Sequence, residues 1–261
     1  MLLEDRNAVV YGAGGRVGRA VALAFAREGA RVFLAGRTRE PLEAVAREIA
    51  AAGGTAEAAE LDALNEAAVD EHADAVAGTA GGIDVSFNTI SHGDVHGAPL
   101  LEMPLEDFAR PITVATRSLF LTARAAGRHM APRGSGVIMA ITASTSFQSL
   151  PEVGGTGVAF DAIESQCRAW AAELGPSGVR VLWLRATGLP EALADIDLFP
   201  AYGMPAPMTK EELIEWNRAK TVLKRLTTLE ELGRAATFAA SDLASAMTAC
   251  AVNLTCGAVP G

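Results

Sequence analysis

Lysine is scarce in this 261-residue chain: there are three, Lys210, Lys220 and Lys224. Tyrosine is scarcer, with Tyr11 and Tyr202 alone, and aromatic residues make up 5% of the total. From residue 12 to residue 201 there is neither a phenol nor an ammonium side chain. Chemistry that needs either group in that stretch is excluded. The three cysteines, Cys167, Cys250 and Cys256, are odd in number and lack CxxC spacing. This excludes a disulfide framework and a cysteine-based zinc site, and buried thiols in a reducing compartment are expected. No apolar run reaches the ~18 residues that span a bilayer. The net charge is −9 and no basic stripe forms, which argues against nucleic acid as a partner and leaves a small molecule. The opening "MLLEDRNAVVYG" mixes acidic and basic residues and has no secretory pattern, so a cytoplasmic location is expected.

What is present is glycine, 26 residues of it, and an apolar half of the chain. Short apolar runs alternate with amphipathic stretches. "NAVVYG", "RVFLAG", "IDVSFNT", "GVIMAIT", "VRVLWLR" and "ACAVNLT" read as strands. "RVGRAVALAFAREGA", "REPLEAVAREIAAAGG", "NEAAVDEHADAVAGTAGG", "VAFDAIESQCRAWAAELG" and "LEELGRAATFAASDLA" read as helices. "TAEAAEL" fits a strand or a helix. "PLEDFARPITVATRSLFLTARAAGRHM" is a long helix in which Pro111 lacks an N–H to donate, so a kink is expected there. The alternation predicts one α/β domain over 1–261: a Rossmann-like doubly wound parallel sheet of about seven strands with helices on both faces. Residues 188–224, with four prolines, interrupt the rhythm after the sixth strand and are expected to form a substrate lid. An irregular surface connection is the alternative.

"VVYGAGGRVGRA" puts Gly12, Gly14, Gly15 and Gly18 between the first strand and first helix. Glycines there let the backbone approach a pyrophosphate, and the helix N-terminus supplies N–H groups and a positive dipole end. At the end of the second strand, "FLAGRT" has Gly36 and Arg37 where an acidic residue would favour NAD. A guanidinium there suits a 2′-phosphate, so NADP(H) is expected, with NAD or no cofactor as alternatives.

The spacing of the glycines resembles that of the short-chain dehydrogenases/reductases, whose loop reads TGxxxGxG. Tyr11 and Gly12 fall on the TG and Gly18 on the last glycine; Arg16 stands on the middle one. Val17 belongs to the same turn. Asp62 in "ELDAL" falls where the family's acidic residue faces adenine, and Asn88 in "IDVSFNTIS" on the first Asn of NNAG. "AAELGPSGVRV" and "LEELGRAATFAASDLASAMTACAVNLTCG" match later segments, so the resemblance covers nearly the whole chain. It implies an oxidoreductase fold with a nicotinamide cofactor. It also implies a homodimer or homotetramer built on two helices that here carry Leu119, Phe120, Ile163 and Trp170.

The family's reaction uses Asn, Ser, Tyr and Lys. The matching positions here are Ala115, Ala143, Thr156 and Phe160, and the family's PG beside the nicotinamide becomes Ala186 and Thr187. Because no Tyr or Lys lies anywhere near this helix in sequence, no shift of alignment restores YxxxK. Threonine is far less acidic than a phenol, and Phe160 supplies no charge to change that. Other groups near the pocket are Ser144 in "TASTSFQS", and His92 and His96 in "NTISHGDVHGAP". The histidines suit acid/base work near neutrality, or belong to a polar surface loop; their spacing does not specify a metal. Asp161 and Glu164 are expected to be solvated or at a subunit contact. Two functions follow. One is an atypical oxidoreductase or non-redox enzyme acting on a small carbonyl compound. The other is a catalytically inactive pseudoenzyme that binds a ligand or a partner subunit.

Overall fold

The computed structural model describes residues 1–193, 198–199 and 207–260. Its strands and helices follow in chain order as β1 (Asn7–Tyr11), α1 (Arg16–Arg27), β2 (Arg31–Gly36), α2 (Arg39–Ala51), β3 (Thr55–Glu60), α3 (Glu66–Ala80), β4 (Val85–Asn88) and α4 (Leu105–Arg133). Then come β5 (Gly136–Ala143), α5 (Thr156–Leu174), β6 (Val179–Ala186), the short β7 (Leu198–Phe199) and β8 (Met208–Thr209), α6 (Lys210–Lys220), α7 (Leu229–Ala240) and β9 (Cys250–Leu254).

Seven strands form one parallel sheet in the order β3-β2-β1-β4-β5-β6-β9. Side chains alternate across it. Val9 and Tyr11 of β1 face one core with α3, α4 and α5; Ala8 and Val10 face the other with α1, α2 and α7. A strand buried on both faces must be apolar at every position, which is why the strands read as continuous runs. The order reverses between β1 and β4, opening a crevice at the strands' carboxyl ends.

"TAEAAE" is strand: Ala58 pairs with Leu34 of β2, and Ala56 and Ala58 rest on the second core while Thr55, Glu57 and Glu60 face out. Pro111 does not end its helix; α4 runs through it from Leu105 to Arg133. A Cβ on Gly155 would collide with the Phe108 carbonyl, so the bare glycine lets the start of α5 press against α4 there. The expected lid over 188–224 includes a 3-10 turn at Pro190–Leu193, the antiparallel β7–β8 pair and α6, which is closed by a capping box between Thr209 and Glu212. Its residues 194–197 and 200–206, Tyr202 among them, lie outside the described residues.

Candidate functional site

The crevice begins at the glycine turn. Gly12 has φ +80°, and a Cβ there would meet the Thr89 carbonyl oxygen at 2.8 Å. A Cβ on Gly18 would collide with the Gly12 carbonyl. Both positions therefore need glycine for the turn to close. The N-cap of α1, Gly15, makes no side-chain capping hydrogen bond to the first turn of the helix. An uncapped helix N-terminus at a strand switch point suits an anion.

A cavity of about 490 Å³ is lined by this turn, by residues at the ends of β2 and β3, and by the loop after β4, His92 included. Gly12, Gly14, Gly15, Arg37 and Asp62 line it; Val17, Gly18 and Asn88 do not. Arg37 is exposed and makes no hydrogen bond or ion pair with any described residue. Asn88 is buried and turned towards α4, donating to Ser118 and Thr122 at 3.4 and 3.1 Å and accepting from the Ile90 amide at 3.2 Å. Its visible work is to tie the end of β4 to α4. Residues that the sequence reading did not single out also line the cavity: Thr38, Thr89, Ile90, Arg110 and Val114. Thr89 holds its place by donating from Oγ1 to the Tyr11 carbonyl at 2.7 Å.

The other half of the crevice, over β4 and β5, is built differently. Ala143 ends β5, Ser144 opens a 3-10 turn and is buried, and Ala115 is buried on α4. Thr156 and Phe160 lie one turn apart on α5, and each meets a histidine from the loop after β4. His96 Nε2 is 2.9 Å from Thr156 Oγ1. The His92 ring stands edge-on to Phe160, with centroids 5.4 Å apart and planes at 65°. His92 is 5% exposed and Thr156 4%. The loop is pinned by the Gly97 amide donating to the Glu152 carbonyl at 2.8 Å, and turns at Gly93 and Gly97 with positive φ. Burial pushes the pKa of His92 and His96 below the ordinary imidazole value; the Asp94 charge opposes this in part. Within this loop His92 is buried, while Ser91, Gly93, Asp94 and Gly97 are exposed. No group of three His, Cys, Asp or Glu side chains suited to a metal occurs among the described residues.

Glu164 corrects the sequence reading. It is buried, and Arg185 of β6 donates to both its oxygens, Nε to Oε1 at 2.9 Å and Nη2 to Oε2 at 2.7 Å. Thr142 and Ser146 donate to Oε1 at 3.1 and 2.9 Å. Burial acts to raise this carboxyl's pKa, but the hydrogen bonds from Arg185, Ser146 and Thr142 outweigh it and the net shift is downward. The sequence carried one signal: an arginine inside the apolar run "VRVLWLRA" needs a buried carboxylate on a neighbouring element.

Residues 12–258 match the family described as enoyl-(acyl carrier protein) reductase. The chain belongs to the short-chain dehydrogenase/reductase family. It is 30% identical over 246 residues to the uncharacterized oxidoreductase YxbG of Bacillus subtilis (strain 168), covering 94% of this chain and 88% of that one. Among solved structures, an NAD+-bound xylitol dehydrogenase superposes with a TM-score of 0.87 at 24% identity, over 98% of this chain and all of the other. A 7α-hydroxysteroid dehydrogenase complexed with NADH and 7-oxo glycochenodeoxycholic acid gives 0.84 at 25% identity, over 99% and 96%. The family is thus one of oxidoreductases whose solved members include complexes with nicotinamide cofactors. In this member, no described helix is long and apolar enough to cross a membrane. The Thr156, Phe160, His92 and His96 arrangement stands where the resemblance places the family's Tyr/Lys pair.

Proposed function

We propose that this short-chain dehydrogenase/reductase homologue is a cytoplasmic NADP(H)-binding protein that does not use the family's Tyr/Lys chemistry. One observation carries the reading. The 490 Å³ cavity is lined by Gly12, Gly14 and Gly15 of the turn before α1, and by Arg37, which has no described partner, and Asp62. The glycine turn at Gly12, Gly14 and Gly15 suits a pyrophosphate, Arg37 suits a ribose 2′-phosphate, and Asp62 suits the adenine edge. NADP(H), when bound, is a carrier of hydride. At the α5 positions that the resemblance matches to the family's Tyr and Lys, this chain supplies the buried Thr156 and the ring of Phe160. The segment at 188–224 is assigned the role of a cover over the substrate side, and the assembly that of a homodimer or homotetramer.

Calorimetric titration tests the cofactor assignment. NADP+ binds more tightly than NAD+, and Arg37→Ala removes the difference. A charge-assisted phosphate contact is worth ~1.5–3 kcal/mol, about one to two decades in affinity. Equal affinity of the wild type for the two cofactors contradicts the assignment.

A second reading is favoured by the 2.9 Å contact between His96 and Thr156. A hydroxyl hydrogen-bonded to an imidazole can pass a proton, so the chain is then an atypical enzyme on a small hydroxyl or carbonyl compound. Turnover of NADP(H) across a panel of such compounds, abolished by His96→Ala, selects this reading over the first.

A further inference from the structure

A dinucleotide laid across a doubly wound sheet uses both halves of the crevice, one mononucleotide over each side of the strand reversal. The two halves here are unequal. One side is a cavity lined by the glycine turn, by Arg37 and Asp62 beyond β2 and β3, and by Thr89–Gly93 after β4, with His92 part of its wall. Over β4 and β5, His92 is buried against Phe160 and His96 is bonded to Thr156, and neither Thr156 nor Phe160 lines the cavity. We infer that the groove is a half-site: it holds an adenosine carrying a 5′-phosphate chain and a ribose phosphate, and leaves the nicotinamide riboside outside.

Three features make the second half a poor seat for a riboside. A ring entering above α5 must displace a histidine that is 5% exposed. Phe160 has no donor or acceptor for the ribose hydroxyls, which lose their water on entry and gain nothing in return. The contacts that hold the loop closed are made at both ends of one helical turn, through Thr156 and Phe160, so opening one histidine alone does not clear the space. The first half needs none of this rearrangement. Its occupant is therefore defined by what the cavity offers: amides for the 5′-phosphates, a cleft for adenine, and Arg37 for a phosphate on the ribose.

This inference rests on the proposal that the groove takes NADP(H), and calorimetry on the whole protein separates the two. NADP+ and adenosine 2′,5′-bisphosphate bind within about threefold of each other, and nicotinamide mononucleotide gives no binding heat. A nicotinamide that makes one net contact worth ~1.4 kcal/mol instead gives NADP+ about a tenfold advantage, and that result overturns the half-site while leaving NADP(H) binding intact. Binding of neither ligand overturns both. The paired substitution His92→Ala with His96→Ala opens the second half: NADP+ gains affinity and the bisphosphate does not. Equal gains for both ligands contradict the inference. If the pair does not fold by circular dichroism, the wild-type ratio decides alone.

Discussion

His96 Nε2 stands 2.9 Å from Thr156 Oγ1, across 60 residues of sequence. The Thr156 hydroxyl is thus held by an imidazole from the loop after β4, and the next turn of the helix meets His92 through Phe160. Thr156 and Phe160, which the resemblance matches to the family's Tyr and Lys, and the two histidines form one packed unit.

That unit makes stability depend on pH. Burial lowers the pKa of both His92 and His96 from 6.5, against the partial opposition of Asp94. The native state keeps them neutral while the unfolded chain takes up protons below about pH 6.5. Stability is full above that value and is lost as pH falls from it towards the lower native pKa values. The melting temperature is expected to drop between about pH 7.5 and 5.5, and to drop less in His92→Gln/His96→Gln. His72, whose pKa burial also lowers, leaves part of the slope in that variant. Identical slopes in the two proteins contradict the assignment.

The buried pair behind the site gives a second expectation. Glu164→Ala leaves the Arg185 guanidinium buried without its carboxylate and costs ~3–5 kcal/mol in urea unfolding. Glu164→Leu combined with Arg185→Met costs much less, because no charge remains to be solvated. A single substitution that costs no more than the double shows that the pair is not the source of the stability.

Restoring the family's residues alone is expected to fail. With Thr156→Tyr, Phe160→Lys, Ala143→Ser and Ala115→Asn in place, His92 and His96 still occupy the space beside α5, and NADPH absorbance in the presence of a generic ketone stays at background. Adding His92→Ala and His96→Ala raises the rate. A wild type that already turns over such ketones at ~10 per second overturns this account.

Assembly follows from the same pair of helices, with a narrower surface than the sequence suggests. Leu119 and Ile163 are inside the core. Phe120 is 46% exposed and its ring lies 5.7 Å from that of Trp170, so these two form the apolar surface across α4 and α5. Light scattering at micromolar concentration is expected to give a dimer or tetramer, and Phe120→Glu a monomer. A monomeric wild type rejects it.

The sheet and its helices were legible because their apolar periodicity is local: a strand covered on both faces shows in a few consecutive residues such as "NAVVYG". The glycine turn was legible from its spacing: Gly18 answers a backbone clash within the turn, whereas the clash that Gly12 answers is with Thr89 beyond β4. What stayed hidden was long-range pairing. Nothing in "NTISHGDVHGAP" says that His96 meets Thr156, or that Asn88 spends its side chain on Ser118 and Thr122. Glu164 read as a solvated residue because its partner is 21 positions away on a strand. The missing Tyr and Lys needed no structure at all, because composition alone excludes them.

Saturation-transfer NMR with NADP+ reports which ligand protons touch the protein, and so separates a half-occupied groove from a fully occupied one. The account predicts strong transfer to the adenine protons and the adenosine ribose, and none to the nicotinamide ring. Transfer to the nicotinamide protons as strong as that to adenine contradicts it, and places the ring in the half of the crevice that His92 and Phe160 occupy.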